Sequence, residues 1–388
     1  MLYSIDKLPD DFINVVARIE ELRLRLRFLL QQQPRRWTGV LRRSMFALAI
    51  QGSNSIEGYN VTVGDAVAAV DGDMPQMDER NEAWLAVRGY REAMTYVLQL
   101  ADDPHFSYHA ATLRSLHFMM LSYELGKNPG RWRPGVIFVR RAGSDGIVYQ
   151  GPDAALVPGL VEELVLSLNS SSAPGLPVIV RAALAHLNLV MIHPYSDGNG
   201  RMARALQTLV LARDGILDAT FSSIEEHIGK NTAEYYQVLA DVGQGAWHPA
   251  RDPLPWIRYC LVAHYQQAEA YSRRAQESGR LATELEAELK RHGLNERMAF
   301  ALHDAANGLR VSNAIYRRMA AVNDAVASRD LSTLSTRGLL VATGEKRGRV
   351  YTASPALMKI REASRLPVTV TDPFTGTVQQ AANSIGAE

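Results

Sequence analysis

His193-Pro194-Tyr195-Ser196-Asp197-Gly198-Asn199-Gly200-Arg201-Met202-Ala203-Arg204 joins two of the most apolar stretches of the chain. Leu184, Leu187, Leu189, Val190 and Ile192 precede it, and Leu206, Leu209, Val210 and Leu211 follow. Both flanks read as buried helices, the second starting after Gly200, with a polar connection between them. Two glycines around an asparagine let backbone N–H groups converge without a Cβ in the way. The helix that follows adds the positive end of its dipole and its free N–H groups. Arg201 and Arg204 stand three apart, on one face of that helix. Together these features make a site for a chain of phosphates. Asp197, at the rim, suits Mg²⁺, which takes one or two carboxylates plus substrate phosphates. His193 ends the preceding helix, where an imidazole with an ordinary pKa near ~6.5 can take a proton from an incoming nucleophile. Glycine turns, helix-end histidines and paired surface arginines are each commonplace. Their coincidence in one short segment points to nucleotide chemistry. A Walker-type lysine loop and a Rossmann glycine pattern after a strand are both absent from the sequence, so the common nucleotide folds do not compete.

These residues resemble the signature of the Fic family, His-x-Phe-x-Asp/Glu-Gly-Asn-Gly-Arg-x-x-Arg, with Tyr195 where Phe is usual. The wider resemblance runs from about Arg80 to Trp256. It implies that His193 is the general base and Asp197 the Mg²⁺ ligand. It also implies that Asn199, Gly200 and Arg201, with Gly198 in the same loop, line the α- and β-phosphates of ATP, and that Arg204 meets the γ-phosphate. A target hydroxyl would attack the α-phosphate and pyrophosphate would leave. Members that transfer a γ-phosphate have Lys near the second Gly, so Gly200 and Arg201 favour AMP transfer. Asn231, Tyr235 and Tyr236 lie in the stretch that contributes to the family's adenosine pocket; Asn231 and Tyr236 are the candidates for ATP contact. Val136-Ile137-Phe138-Val139, Gly143-Ser144-Asp145-Gly146 and Ile147-Val148-Tyr149 read as a hairpin. It resembles the family's flap, which holds a target segment by backbone pairing. Ser53-Asn54-Ser55-Ile56-Glu57-Gly58 resembles the family's inhibitory motif, Ser/Thr-x-x-x-Glu-Gly/Asn. Ser53, Glu57 and Gly58 carry it, and a carboxylate paired with Arg204 would deny that arginine to the γ-phosphate.

The remaining sequence sets limits. Hydrophobic residues make up 47% and charged residues 21% of 388 residues, the balance of a soluble globular protein. The net charge of +1 advertises no polyanion partner for the chain as a whole. Cys260 is the only cysteine, which excludes an intrachain disulfide and a cysteine-type zinc site, and its apolar neighbours make it a buried thiol. No secretory signal and no membrane-length apolar run is visible, so a cytoplasmic location and no membrane partner are expected.

Helical spacing is predicted for 10–30, 37–51, 79–100, 109–123, 153–168, 177–192 and 254–292. Residues 294–352 read as three short helices followed by a basic β-turn at 344–349, resembling a winged helix-turn-helix. Nine Lys/Arg stand against five Asp/Glu there. DNA contact through Asp324–Arg337 and the turn is one expectation, a protein-packing module the other. The residues after Leu366 show no clear period and are expected to lack regular order. The expected class is therefore mostly α: a Fic-like helical core with a β-hairpin flap and a C-terminal winged-helix-like module. The expected organisation is an N-terminal helical region with the inhibitory motif (1–78), the catalytic core (79–256), a helical connector (257–293), the module (294–362) and a tail (363–388). The expected function is transfer of AMP from Mg-ATP to a hydroxyl side chain of a protein, the chain itself included, restrained by Glu57. Removal of AMP, or a DNA-binding regulator with a nucleotide-sensing core, are the alternatives, and homo-oligomerisation stays open.

Overall fold

Helical spacing of apolar residues shapes most of the chain, and the computed structural model describes residues 1–75, 77–140, 146–170, 175–345 and 349–380. They fall into two units. Unit 1 takes Met1–Phe28, Arg42–Tyr271 and Val370–Gln380; the described part of unit 2 takes Leu29–Leu41 and Ser272–Thr369.

The N-terminal half holds α1 (Asp10–Gln32), α2 (Arg35–Ile56), α3 (Val63–Asp71), α4 (Glu82–Asp102) and α5 (Ala110–Leu121). Then come β1 (Phe138–Arg140), β2 (Ile147–Gln150), α6 (Val157–Asn169), α7 (Val178–Ile192) and α8 (Asn199–Ala212). Short helices α9 (Ala219–Ser222) and α10 (Glu225–Lys230), then α11 (Thr232–Gly243), strand β3 (Gly245–Ala246) and the long α12 (Leu254–Arg291) complete this part. The apolar runs around the motif are the centre of unit 1. Ala182–Leu189 of α7 and Arg201–Ala212 of α8 are buried throughout, as expected of helices apolar on every side. Several of their polar groups pair with one another and with neighbouring helices. His186 Nδ1 lies 2.6 Å from Gln207 Oε1, Gln207 Nε2 lies 3.0 Å from His264 Nε2, and His186 Nε2 lies 3.1 Å from the Tyr235 hydroxyl. Cys260 is buried and free, as its neighbours indicate.

Helix α3 is absent from the sequence expectation. Its signal is local: Thr62 Oγ1 accepts from Asp65 N–H at 3.0 Å and donates to Asp65 Oδ2 at 2.7 Å, while Gly72, at φ 70°, ends the helix. The hairpin forms at the expected place. β1 pairs antiparallel with β2, with Phe138 opposite Gln150 and Val139 opposite Tyr149, and β2 pairs parallel with β3. The sheet order β1-β2-β3 leaves β1 at an edge. The expected turn at Gly143–Asp145 lies outside the described residues.

Unit 2 contains α13 (Ala299–Ala306), β4 (Val311–Ser312), α14 (Asn313–Ala320), α15 (Asp324–Thr336), β5 (Leu340–Thr343), β6 (Val350–Ala353) and α16 (Pro355–Ser364). The strands form an antiparallel sheet in the order β4-β6-β5. Leu302, Val311, Tyr316, Leu331, Leu334 and Leu357 fill its core, joined by Trp37 and Val40 from the start of α2. Asp330 is buried but satisfied by Arg297 Nε at 2.7 Å and the Tyr316 hydroxyl at 2.9 Å. Of the expected basic turn, Lys346–Gly348 lies outside the described residues.

The expectation for the chain end requires correction. Residues after Leu366 include β7 (Thr369–Thr371) and β8 (Val378–Gln380), a two-stranded sheet. Period fails to announce them because one residue anchors the turn. Phe374 meets Phe12 edge-on at 4.9 Å and lies under the Arg258 guanidinium at 3.9 Å. Gly376, at φ 71°, closes the turn with N–H to Asp372 O at 2.9 Å. Residues 381–388 lie outside the described residues. Among the described residues, no helix is long and apolar enough to cross a membrane.

Candidate active site

The site is built where α7 stops and α8 starts. Pro194 disfavours the α region for the residue before it, and His193 leaves the helix in the left-handed region, φ 52° and ψ 57°. Its Nδ1 lies 3.0 Å from the Val190 carbonyl, so Nδ1 is assigned the proton and Nε2 is left as the basic nitrogen. Burial lowers the imidazole's pKa below its ordinary value, and Arg133 adds to this. The Val190 contact and the charges of Glu57 and Asp197 act the other way.

Asn199 braces the loop. Its Nδ2 donates to Tyr195 O at 2.9 Å, and its Oδ1 accepts Tyr195 N–H at 2.9 Å. With the side-chain amide so engaged, the group Asn199 offers a ligand is its backbone N–H. Gly198 sits at φ 77°, and a Cβ there would come within 2.8 Å of Leu121 Cδ1. Tyr195 is fully buried and stacks on His117, with ring centres 3.7 Å apart and planes within 4°. His117 Nδ1 accepts Gly130 N–H at 2.8 Å, so its Nε2–H donates to Asp197 O at 2.8 Å. Burial first, then the charge of Arg201, lowers that imidazole to about 4, and it stays neutral. The aromatic position of the motif thus packs on a histidine that holds the backbone of the metal-candidate residue.

Asp197 Oδ1 accepts Gly198 N–H at 2.6 Å, and Oδ2 lies 3.1 Å from Lys127 Nζ and 3.9 Å from Arg201 Nη2. Burial works to raise its pKa, but Arg201, Lys127 and the Gly198 N–H hold it below the ordinary carboxylate value. Arg201 is 0% exposed, yet its nitrogens have no hydrogen-bond acceptor in good geometry among the described residues. Gly198 supplies no side-chain cap, so the first turn of α8 presents its N–H groups beside that guanidinium.

Arg204 is engaged. Its Nε donates to Ser53 Oγ at 2.8 Å, and Nη2 donates to Ser53 O at 2.9 Å and to Glu57 Oε1 at 2.6 Å. Nη1 has no partner among the described residues. A Cβ on Gly200 would stand 2.3 Å from Glu57 Oε1, so glycine there admits the carboxylate. Glu57 and Gly58 close α2 through N–H bonds to Asn54 O and Ser55 O, and Gly58 turns the chain at φ 86°. α2 lies close to α10: a Cβ on Gly52 would meet Glu225 O at 2.6 Å, and one on Gly229 would meet Gly52 Cα at 2.8 Å. Two glycines face to face therefore set the depth at which Ser53 and Glu57 reach Arg204.

Asn231 lies between α10 and α11, its Nδ2 donating to His227 O at 2.8 Å. Tyr235 is core, while Tyr236 is 45% exposed and donates to Ile56 O at 3.1 Å, beside Glu57. On the hairpin side, Val136 is 61% and Phe138 43% exposed, Ile137 and Val139 less so. Ile137 O accepts Gly151 N–H at 3.2 Å. Arg133, not singled out in the sequence, connects this segment to the motif. It is buried, and it donates to His193 O from Nε at 2.8 Å, to Pro194 O from its backbone N–H at 2.9 Å, and to Pro152 O from Nη2. Lys127, Tyr59, His117 and Gly52 were missed likewise. Among the described residues, no cluster of three or more His, Cys, Asp or Glu could hold a metal by itself.

The family model described as Fic/DOC family matches residues 107–211. Protein adenylyltransferase Fic of Nematostella vectensis is 29% identical over 226 residues, 57% of this chain and 48% of that protein. Protein adenylyltransferase fic-1 of Caenorhabditis elegans is 27% identical over 231 residues, 58% of this chain and 41% of that one. The chain thus spans about half the length of the curated relatives it matches. A crystal structure of a Fic family protein from Desulfovibrio desulfuricans G20 is similar over 92% of this chain and 98% of its own, with TM-score 0.58 and 22% identity. Fic-1 (aa134 - 508) from C. elegans is similar over 67% and 71%, with TM-score 0.52 and 23% identity. The mostly helical fold of these structures is the fold found here, and the motif from His193 to Arg204 falls inside the matched segment. The chain carries a Fic/DOC-family domain over residues 107–211.

Proposed function

We propose that this chain is a protein adenylyltransferase that moves AMP from ATP to a hydroxyl side chain of a target protein and is restrained by its own Glu57. One observation carries the reading. Arg201 is fully buried and, among the described residues, its nitrogens have no hydrogen-bond acceptor in good geometry, the Asp197 carboxylate standing 3.9 Å from Nη2. It lies at the uncapped N-terminus of α8 and in the same twelve residues as His193. A buried cation of this kind is costly unless an anion completes the site, and helix N-terminal N–H groups favour phosphate. In this reading His193 Nε2 takes the proton of the target hydroxyl, and that oxygen attacks the α-phosphorus. The bond to the β-phosphate oxygen breaks and pyrophosphate leaves. Arg201 and the first N–H groups of α8 stabilise the charge that spreads over the phosphate oxygens. Asp197, held ionised and already beside the ammonium of Lys127, fits a cation. It would hold Mg²⁺ together with the phosphates, and the metal, when bound, supplies charge neutralisation there. Asn231 and Tyr236 would border the adenosine. The free edge of β1, with exposed Val136 and Phe138, supports docking of an extended target segment by strand addition.

The test is labelling with ATP carrying its label in the α-phosphate. Glu57→Gly should label proteins of a lysate, or itself, and Glu57→Gly with His193→Ala should not. Equal labelling by the two would remove His193 from the chemistry. Pre-labelled target incubated with wild-type protein reads the reverse direction.

Unit 2 allows a second partner. Arg329, Arg337 and Arg349 are exposed around α15 and the β5–β6 pair, which supports DNA contact. Binding to duplex DNA that weakens steeply with salt would bear it out, and no binding at low salt would exclude it.

A further inference from the structure

Lys127 lies outside the motif, on a short 3₁₀ turn at Leu125–Lys127. Its ammonium touches three oxygens: Asp197 Oδ2 at 3.1 Å, the Tyr59 hydroxyl at 3.1 Å and Glu82 Oε1 at 3.2 Å. The Tyr59 hydroxyl also donates to Glu82 Oε1 at 3.3 Å. Tyr59 in turn covers a second cation. Its ring centre lies 5.1 Å from the Arg201 guanidinium carbon. Its backbone N–H donates to Asn54 O at 3.0 Å, the carbonyl that also accepts Glu57 N–H. Tyr59 and Glu57 therefore hang from the same end of α2 and reach two different arginines.

Resting on the adenylyl-transfer reading above, we propose that Tyr59 and Lys127 form a second lock on the phosphate site, separate from the Glu57–Arg204 pair. The Tyr59 ring covers Arg201 where the phosphates would engage it, and the Lys127 ammonium occupies the Asp197 carboxylate that a divalent cation would use. The chemistry is a matter of substitution. An aromatic face is a weak partner for a guanidinium, adequate when nothing better is present and readily exchanged for phosphate oxygens. Lys127 is likewise a stand-in cation between Asp197 and Glu82, and Asp197 Oδ2 cannot serve the ammonium and a metal at once. Because Lys127 also holds the Tyr59 hydroxyl, a cation that displaces Lys127 from Asp197 loosens the residue that shields Arg201. The lock thus makes opening of the nucleotide site sensitive to cation and phosphates together.

The experiment uses the full chain carrying Glu57→Gly, so the first lock is already open. Calorimetry measures binding of α,β-methylene-ATP, and the loss of the free-ion electron paramagnetic resonance signal measures Mn²⁺ in its presence. Tyr59→Ala should tighten the analogue by about 3- to 10-fold, the range of one cation–π contact. Tyr59→Phe keeps the ring and should gain less than Tyr59→Ala. Lys127→Met should tighten Mn²⁺ by about 3- to 10-fold, the worth of one charged hydrogen bond. If Glu57→Gly binds the analogue but neither Tyr59→Ala nor Lys127→Met binds its probe more tightly, the second lock is wrong and the nucleotide site stands. Weaker Mn²⁺ binding by Lys127→Met also overturns the lock. If Glu57→Gly binds no analogue at all, the nucleotide site falls and the lock with it.

Discussion

Replacing Glu57 by Gly removes one carboxylate from a buried arginine, and the structure bounds the effect. Glu57 Oε1 lies 2.6 Å from Arg204 Nη2, with Arg204 1% and Glu57 22% exposed. Two unit charges about 4 Å apart attract by ~4 kcal/mol at an effective dielectric constant near ~20. In the proposed reaction a γ-phosphate would have to break that contact and then sit beside the carboxylate. Against this, the phosphate gives Arg204 a new anionic partner, and water reaches part of Glu57. A net penalty of about 1.5–3 kcal/mol follows, or about 10- to 100-fold in nucleotide affinity or in the fraction of ATP aligned for attack. The assay is a double-mutant cycle on initial labelling rates and on analogue affinity with wild type, Glu57→Gly, Arg204→Ala and the double variant. Glu57→Gly should gain by that factor. In the double variant the gain should largely vanish, because the group that the first change releases is gone. Additive effects, or no gain in Glu57→Gly, would refute the claim that Glu57 restrains the site through Arg204.

His193→Ala should reduce transfer by ~10²–10⁴-fold while analogue binding stays near wild type. In the Glu57→Gly background the rate should fall on the acid side only below pH 6.5, because burial holds the folded imidazole's pKa under that value. Arg201→Ala and Asp197→Ala should weaken binding of the analogue, the second only when Mg²⁺ is present, as calorimetry with and without the metal would read. Gly52→Ala places a methyl group 2.6 Å from Glu225 O, so α2 must lift from α10. Stability should drop by about 1–3 kcal/mol in denaturant melts while labelling rises. Glu225 is pushed up to about 7 by burial, against the pull of Tyr90 and Arg204. The folded state then holds a proton that the unfolded state has released above pH 4.5, so stability falls as pH rises through about 4.5 to 7. Glu225→Gln keeps an acceptor for the Tyr90 hydroxyl, and its thermal stability should exceed wild type by up to ~3 kcal/mol near pH 8 and by little near pH 5.

The central helices and the loop between them were legible because their signals are local. Apolar spacing fixes α7 and α8, Pro194 ends the first, and Gly198 is the one residue type that fits at φ 77° against Leu121. The hairpin was legible from β-prone runs around turn residues. The partners of the motif were not. Arg133, Lys127 and Tyr59 reach it from 60 or more positions away in sequence, and Gly52 meets Gly229 across two helices with no period to mark the crossing. An arginine that donates only to backbone carbonyls, as Arg133 does, looks in sequence like any surface arginine. α3 carried a readable cap in Thr62 and Asp65, but its nine residues are too few for period to stand out. The β7–β8 pair depends on Phe374 finding Phe12 and Arg258, a contact that only the folded chain supplies.

The direct test of adenylyl transfer is a pair of parallel reactions. Glu57→Gly is incubated with a lysate and Mg²⁺ plus ATP labelled either in the α-phosphate or in the γ-phosphate. Relative to lysate without the protein, adenylyl transfer adds protein label from the α-labelled ATP alone, and the added label is lost when His193→Ala is combined with Glu57→Gly. Label from the γ-phosphate above that control, or α-label above it that survives His193→Ala, would contradict adenylyl transfer.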